Sequence, residues 1–323
     1  MAVDVLVAPG VRRIAVPLPL ALKIVNVYLV EGANGWGLVD TGLHTSEGER
    51  VLRDGIADAG IDIGDVARVF VTHVHPDHMG MAGTLQNAGA ELVMHSPEAR
   101  NARTLWGEDR SALVDQAYAF FLTHGMPSTV DDDMKESWLA MGRKVDAFGA
   151  ITEVENGSAV DLGGRSLRVV WTPGHTDYHA CLVDEDAGIL FAGDHVLPRI
   201  TSNISLYPWS RDDPLGDFLD ALRAVRALKV SRVLPAHGDP FDDLGGRVDE
   251  LLEHHRERLA KVLEIVDGRE RPAYAICRDL FPVLRSAHEE RFALAETLAH
   301  LRHLERRGKV GPIGSDPVRW RMR

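Results

Sequence analysis

The sequence predicts a layered fold of alternating strands and helices, followed by a helical segment that closes in a small hairpin. Three observations carry this. Apolar runs of strand length recur through residues 12–95 and again through 151–238, separated by turns and helical stretches. Between them, residues 97–147 switch to helical spacing. Beyond residue 244 the spacing is helical again until the last sixteen residues. We therefore expect a main domain over 1–244 with a helical insertion at 97–147, and a second domain over 245–323.

In chain order, residues 12–17 and 23–32 (KIVNVYLVEG) read as strands, and GWGLVDTG as a third that ends in a turn. Residues 46–59 have helical spacing, with Thr45 or Ser46 as N-cap. ARVFVTH is a strand that runs into a histidine cluster, residues 79–88 a helix beginning near Gly80, and AELVMHS a strand. NARTLW, SALVDQAYAFFLTHG and DDDMKESWLAMGRKVDAF are helices, the last with the acidic run 131–133 at its positive end. ITEVENG, SLRVVWTPG, ACLVDE and GILFAGD return to strands; 214–228 is an amphipathic helix, and SRVLPAHG the final strand. Val248, Leu251, Leu252, Leu259, Val262, Leu263 and Val266 form one helical stripe. Helices at 273–281 and 288–307 follow, and GKVGPIGSDPVRWRMR can fold back around PIGSDP.

A hydrophobic fraction of 45% in 323 residues is enough for a sizeable core. The opening MAVDVLVAPG lacks a basic and then apolar leader pattern, and no apolar run approaches spanning length. With Cys181 and Cys277 far apart, this reads as a soluble, cytoplasmic chain whose cysteines are buried fillers. The net charge of −12 argues against general affinity for nucleic acid, although 16 Lys and Arg face 13 Asp and Glu from Gly246 onward.

The densest chemical signal is THVHPDH. On an extended chain His73 and His75 share a face, and Pro76 turns the chain so that Asp77 and His78 project from a loop. Imidazoles with a carboxylate suit Zn²⁺, Fe or Mn²⁺. His175 in WTPGHT, Asp194 in LFAGDH and His237 in LPAHG occur just beyond further apolar strands, each beside a glycine. One histidine alone is more often structural than ligating; seven ligand-type residues at strand ends favour metal.

HVHPDH, GHT, GD and AHG, in that order over residues 11–238, resemble the metallo-β-lactamase-fold hydrolases. The resemblance implies an α+β fold, a four-layer αββα sandwich with its metal cleft along one edge of two sheets. It implies one ion on His73, His75 and His175, a second on Asp77, His78 and His237, and Asp194 bridging them. Asp40 in VDTG matches the family's early Asp that orients the site. The tail resembles the winged-helix-like C-terminal domain of lactamase-like proteins. Asp194 stands where zinc β-lactamases carry cysteine, which argues against antibiotic hydrolysis as the main role. His75 stands where flavodiiron oxygen reductases have an acidic residue, and the long cassette of the RNA-processing exonucleases is absent.

The expected activity is a binuclear metal-dependent hydrolase that uses a metal-bridging hydroxide. Metal binding lowers the pKa of water from about 15.7 to about 7. Asp77 and Asp194 are its candidate catalytic carboxylates, with two divalent ions, zinc first and iron or manganese as alternatives. The expected substrate is an ester, thioester or lactone, as a small molecule or carrier-bound acyl group. Phosphodiester or RNA cleavage is the alternative, and a non-catalytic nucleic-acid module ranks third. Trp106, Tyr118, Phe120, Phe121 and Trp138 read first as core and second as an acyl pocket. Arg199, Asn203 and Tyr207 are candidate substrate-binding residues, and His44, His124, His254 and His255 read as surface. The tail could guide RNA through Lys309, Arg319, Arg321 and Arg323, act as a lid, or form a homodimer contact.

Overall fold

A computed structural model describes residues 5–20, 22–107 and 110–323. β1 (Val5–Ala8), β2 (Val11–Pro17), β3 (Ile24–Gly32), β4 (Gly35–Val39), β5 (Val66–Phe70), β6 (Glu91–His95) and β7 (Thr152–Val154) form one sheet in sequence order. Its first four strands pair antiparallel; β4 to β7 run parallel. Parallel neighbours need crossovers. These are α1 (Ser46–Ala57), then α2 (Pro76–Met79) with α3 (Ala82–Asn87), then α4 (Ser96–Leu105), α5 (Arg110–Thr123) and α6 (Asp131–Gly142). The helical insertion is thus the crossover between adjacent strands β6 and β7. The acidic side chains of 131–133, expected at its last helix start, lie outside the described residues, as do residues 1–4 of the opening segment.

The second sheet comprises β8 (Ala159–Leu162), β9 (Arg165–Trp171), β10 (Ala180–Asp184), β11 (Ile189–Gly193) and β12 (Arg232–Pro235), ordered β12-β11-β10-β9-β8. Its one parallel pair, β11 with β12, is joined by α7 (Pro214–Arg226). Alternation along the strands builds two buried faces. In β10, Ala180 and Leu182 meet Tyr28, Val30 and Phe70 of the first sheet, while Cys181 and Val183 meet the helices. In β3, Tyr28 and Val30 point inward and Val25, Val27 and Leu29 pack outward near Val51, Leu52 and Ile56 of α1. Both faces being covered explains the continuous apolar runs. The result is helices, sheet, sheet, helices: an α+β sandwich in four layers.

α8 (Leu244–Val266), β13 (Arg271–Pro272), α9 (Ala273–Leu280), α10 (Ala287–Arg306), β14 (Val310–Ile313) and β15 (Arg319–Met322) complete the chain. The expected hairpin pairs Val310 with Met322, and the unforeseen strand β13 joins its other edge. These helices share one apolar core with α7, the outer face of the second sheet, and Val114, Tyr118 and Phe121 of α5. That packing corrects two surface assignments. His124 is buried against Phe120 and stacks on Trp320, and His255 is buried against His300. Both cysteines are free and fully buried. Among the described residues, no helix is long and apolar enough to cross a membrane.

Candidate metal centre

The parallel strands β4 and β5, and β9, β11 and β12 of the second sheet, bring their carboxyl ends to one edge, where a doubly covered sheet opens its crevice. The loops after β5, β9, β11 and β12 carry the candidate ligands, and the one after β4 carries Asp40. After β5 the chain leaves the ladder at Val71, and α2 starts at Pro76 rather than near Gly80. Proline is suited to a first helical position because its fixed φ fits and no N–H is lost. This short turn projects Asp77 and His78 inward. Gly80 then lies so close to the loop after β4 that a Cβ would come within 2.6 Å of the Gly42 carbonyl and the His44 N–H.

Three triads of ligand atoms gather here: His73, His75 and His175; Asp77, His78 and His237; and His73, His78 and Asp194. In the first, the His75 Nδ1 lies 3.0 Å from the His73 Nε2 and 2.9 Å from the His175 Nε2. Asp194 stands between the groups. Its Oδ2 is 3.3 Å from the His175 Nε2, while its Oδ1 is 3.6 Å from the Nε2 atoms of both His78 and His237. The Asp77 Oδ2 lies 3.4 Å from the His237 Nε2.

The outward ring nitrogens are anchored, and this fixes the inward ones. His175 donates from Nδ1 to the Asn203 carbonyl at 2.9 Å, and His237 to the Ile24 carbonyl at 2.8 Å. The Thr72 hydroxyl donates to Asp40, so it accepts from the His73 Nδ1. His73, His175 and, when neutral, His237 therefore present lone pairs from Nε2. Lone pairs converging at about 3 Å are what a cation satisfies.

Asp40 holds the other side. Its carboxylate accepts from the His78 Nδ1 at 2.8 Å and from the Thr72 N–H at 2.8 Å. Among the described residues it alone, besides glycines, adopts left-handed backbone, with φ at 62°. Aspartate tolerates that conformation better than most residues, and strain of this kind collects at working sites. Glu98 is a further clamp. Fully buried on α4, it accepts from the Val74 N–H at 3.0 Å and the Thr176 hydroxyl at 2.7 Å, tying the two ligand loops together. Sequence reasoning missed it, because a lone glutamate in a helix looks like a solvated one.

Charge divides the site. Burial, then the neighbouring His175, pushes His75 down to about 3, and burial holds His73 well below its ordinary value. Those imidazoles are neutral and ready to ligate. Burial also opposes charge on His78 and His237, but Asp194, with Asp40 and Asp77 about His78 and Asp77 beside His237, raises them to about 10 and about 9. The His78 Nε2, His237 Nε2 and Asp194 Oδ1 are buried without a hydrogen-bond partner. A metal cation can supply both the positive charge and the missing partner, so the donors fit such an ion.

A cleft of about 600 Å³ runs from His75, Asp77, Asp194 and His237 out to the insertion and α10. Of the residues expected to touch substrate, Tyr207 and Asn203 line it. Asn203 turns its amide to Glu296 at 2.9 Å and serves the site through its carbonyl on His175. Arg199 does not line it: its side chain is exposed, while its loop neighbours Leu197 and Ile200 face the cleft. The aromatic set divides, with Trp106 and Trp138 on the cleft and Tyr118 and Phe121 in the core.

Comparison with known proteins agrees with this geometry. Residues 21–237 match the Metallo-beta-lactamase superfamily, and 259–321 match its Metallo-beta-lactamase-like, C-terminal domain. The chain is 28% identical over 302 residues to a probable metallo-hydrolase, YqjP of Bacillus subtilis, covering 91% of this chain and 92% of that one. It is 30% identical over 226 residues to the Acyl-coenzyme A thioesterase MBLAC2 of Bos taurus, covering 67% of this chain and 74% of that protein. The crystal structure of a metallo-beta-lactamase family protein from Thermus thermophilus superposes with a TM-score of 0.89 at 34% identity, over 98% of this chain and 100% of that one. The chain belongs to the metallo-beta-lactamase superfamily and is a metal-dependent hydrolase of that family.

Proposed function

We propose that the chain hydrolyses acyl thioesters or esters with two divalent ions, zinc by preference. His73, His75 and His175 would hold one, Asp77, His78 and His237 the other, and Asp194 would offer one oxygen to each. When bound, the ions polarise the acyl carbonyl and make water acidic enough to attack at neutral pH. Around them, Asp40 fixes His78 at its Nδ1, and Glu98 keeps the loops of His75 and His175 in register. Asp77, which lines the cleft, would take up a proton as water attacks.

The observation that carries this reading is the wall of the cleft. Leu20, Leu105, Trp106, Leu113 and Met141 line it, giving an acyl chain apolar surface beside the metal cluster. The likeness to the bovine acyl-coenzyme A thioesterase supports the same chemistry. α8, α9, α10 and the strands β13, β14 and β15 make up the span read as winged-helix-like, and we propose that it closes the cleft. The alternative, phosphodiester or RNA hydrolysis, needs a free cationic face. Of Lys309, Arg319, Arg321 and Arg323, Arg321 pairs with Glu270 at 3.2 Å, and elsewhere on the tail Arg278 and Arg306 pair with Glu290 at 2.9 Å and Asp212 at 3.1 Å.

The test is a panel of straight-chain acyl thioesters, a lactone, a phosphodiester and a short RNA, assayed on zinc-loaded protein. Thioester kcat/KM should rise by roughly four-fold per methylene while the cleft buries the chain, since each contributes about 0.8 kcal/mol. Rapid RNA or phosphodiester cleavage without thioester turnover would overturn the reading.

A further inference from the structure

The far wall of the cleft contains a buried cation that has no counter-charge among the described residues. Arg291, on the second turn of α10, is only 7% exposed yet lines the cleft. Its guanidinium sits 4.3 Å from the ring centres of both Trp138 and Phe292, and it donates from Nη1 to the Tyr207 hydroxyl at 2.6 Å. Among the described residues, that is its one hydrogen bond within the protein, and no carboxylate lies within ion-pair distance. Glu289, the cleft-lining acid beside it on the helix, accepts from the Arg285 N–H instead. Desolvating a guanidinium is unfavourable unless a partner compensates. Aromatic faces and one neutral hydroxyl compensate only in part.

The site is also built to stay in place. Tyr207 stacks on Trp209 at 5.3 Å with their planes 6° apart, and lies 5.5 Å from Trp138. Because the Tyr207 oxygen accepts from Arg291, its own proton is left to donate elsewhere. A planar fork with unused donors beside a hydroxyl donor, held rigid by aromatic rings, matches a carboxylate or a phosphate.

We propose that Arg291 and Tyr207 form an anion-recognition site, so that the substrate carries a negative group at a distance from its scissile bond. This rests on the reading of the cleft as an acyl-substrate site and narrows it to anionic substrates. The negative group would be a carboxylate at the end of the acyl chain or a phosphate on the carrier arm.

Three thioesters separate these sources: hexanoyl-N-acetylcysteamine, which is neutral; adipoyl-N-acetylcysteamine, with a terminal carboxylate; and hexanoyl-coenzyme A, with phosphates. At least one charged substrate should exceed the neutral one in kcat/KM by roughly ten- to a hundred-fold, the range for hydrogen bonds to a charged group. Arg291→Met should bring that ratio close to one. A preference for adipoyl assigns the carboxylate, and one for coenzyme A the phosphate. Equal kcat/KM on all three, or a preference that Arg291→Met leaves intact, overturns the proposal. If circular dichroism shows that the Met variant is unfolded, Arg291→Lys decides: losing the planar fork should cut the ratio several-fold, and an unchanged ratio overturns it. If no thioester is turned over, the hydrolytic reading fails by itself. Calorimetric titration of inorganic phosphate and adipate into the metal-loaded protein then judges the anion site. Binding to wild type that Arg291→Met loses supports it; equal binding, or none, overturns it.

Discussion

At one end of the cleft, His73, His75, Asp77 and His78 fall within six consecutive positions, and each remaining candidate ligand lies in the loop that follows a strand. At the other, Arg291, Tyr207 and Trp138 come from α10, the loop before α7 and α6, and meet only through tertiary packing. Their anchors differ accordingly. The ligands are fixed by backbone carbonyls and buried carboxylates, which tolerate little displacement, whereas the far wall is held by rings and long side chains. The contrast teaches that the candidate metal residues are set by the sandwich edge, while the far wall depends on how helices from distant parts of the chain pack.

The contrast can be broken at its strongest point first. Asp194→Ala removes the carboxylate that faces both triads and should reduce turnover of every substrate by about 10³-fold or more, since metal polarisation contributes several kcal/mol. Elemental analysis should show metal loss with the far-UV circular dichroism unchanged; full activity with full metal content would refute the assignment. Asp40→Asn keeps a residue that accepts left-handed backbone but weakens the hold on His78. It should lower metal affinity or activity by roughly 10–100-fold, measured by competition with a chelating dye. Unaltered affinity would mean that the strained residue serves only the turn.

The smallest effect lies at Glu296 of α10, which accepts from the Asn203 amide. Burial raises Glu296 to about 7, against the opposing pull of Arg258 and the Asn203 amide. Between its ordinary value of 4.5 and about 7, the folded chain keeps a proton that the unfolded chain releases. Its contribution is thus complete below about pH 4.5 and lost as pH rises through about 7. Glu296→Gln removes this titration while leaving an acceptor for Asn203. The Tm of wild type relative to the variant should fall by about 2–4 °C over that interval for each kcal/mol involved. A flat difference would show that Glu296 does not titrate there.

The same contrast explains what was legible in the sequence. The sandwich and ligand cluster were readable because strand period, proline and glycine act over a few residues, and the ligands occupy those junctions. Asp40 was readable for the same reason, as the end of VDTG. Arg199 was misassigned because an irregular loop has no period to say which neighbour points inward. His124 and His255 read as surface because their burial comes from helices remote in sequence. Arg291 gave no sign at all: in a helix rich in glutamate and arginine it looks like one more solvated charge, and only the approach of Trp138 and Tyr207 makes it a buried one.

The separation in sequence between His237 and α10 has a consequence for synthesis. His237 leaves the ribosome roughly seventy residues before the end of α10, an interval of about 3–14 seconds at 5–20 residues per second. During that time both sheets and all seven candidate ligands can assemble while Trp138 still lacks α10, whose Arg291 lies over its ring. At that stage the candidate metal edge can be complete while the apolar cleft lacks its α10 wall. That is the moment at which it is most exposed to wrong partners.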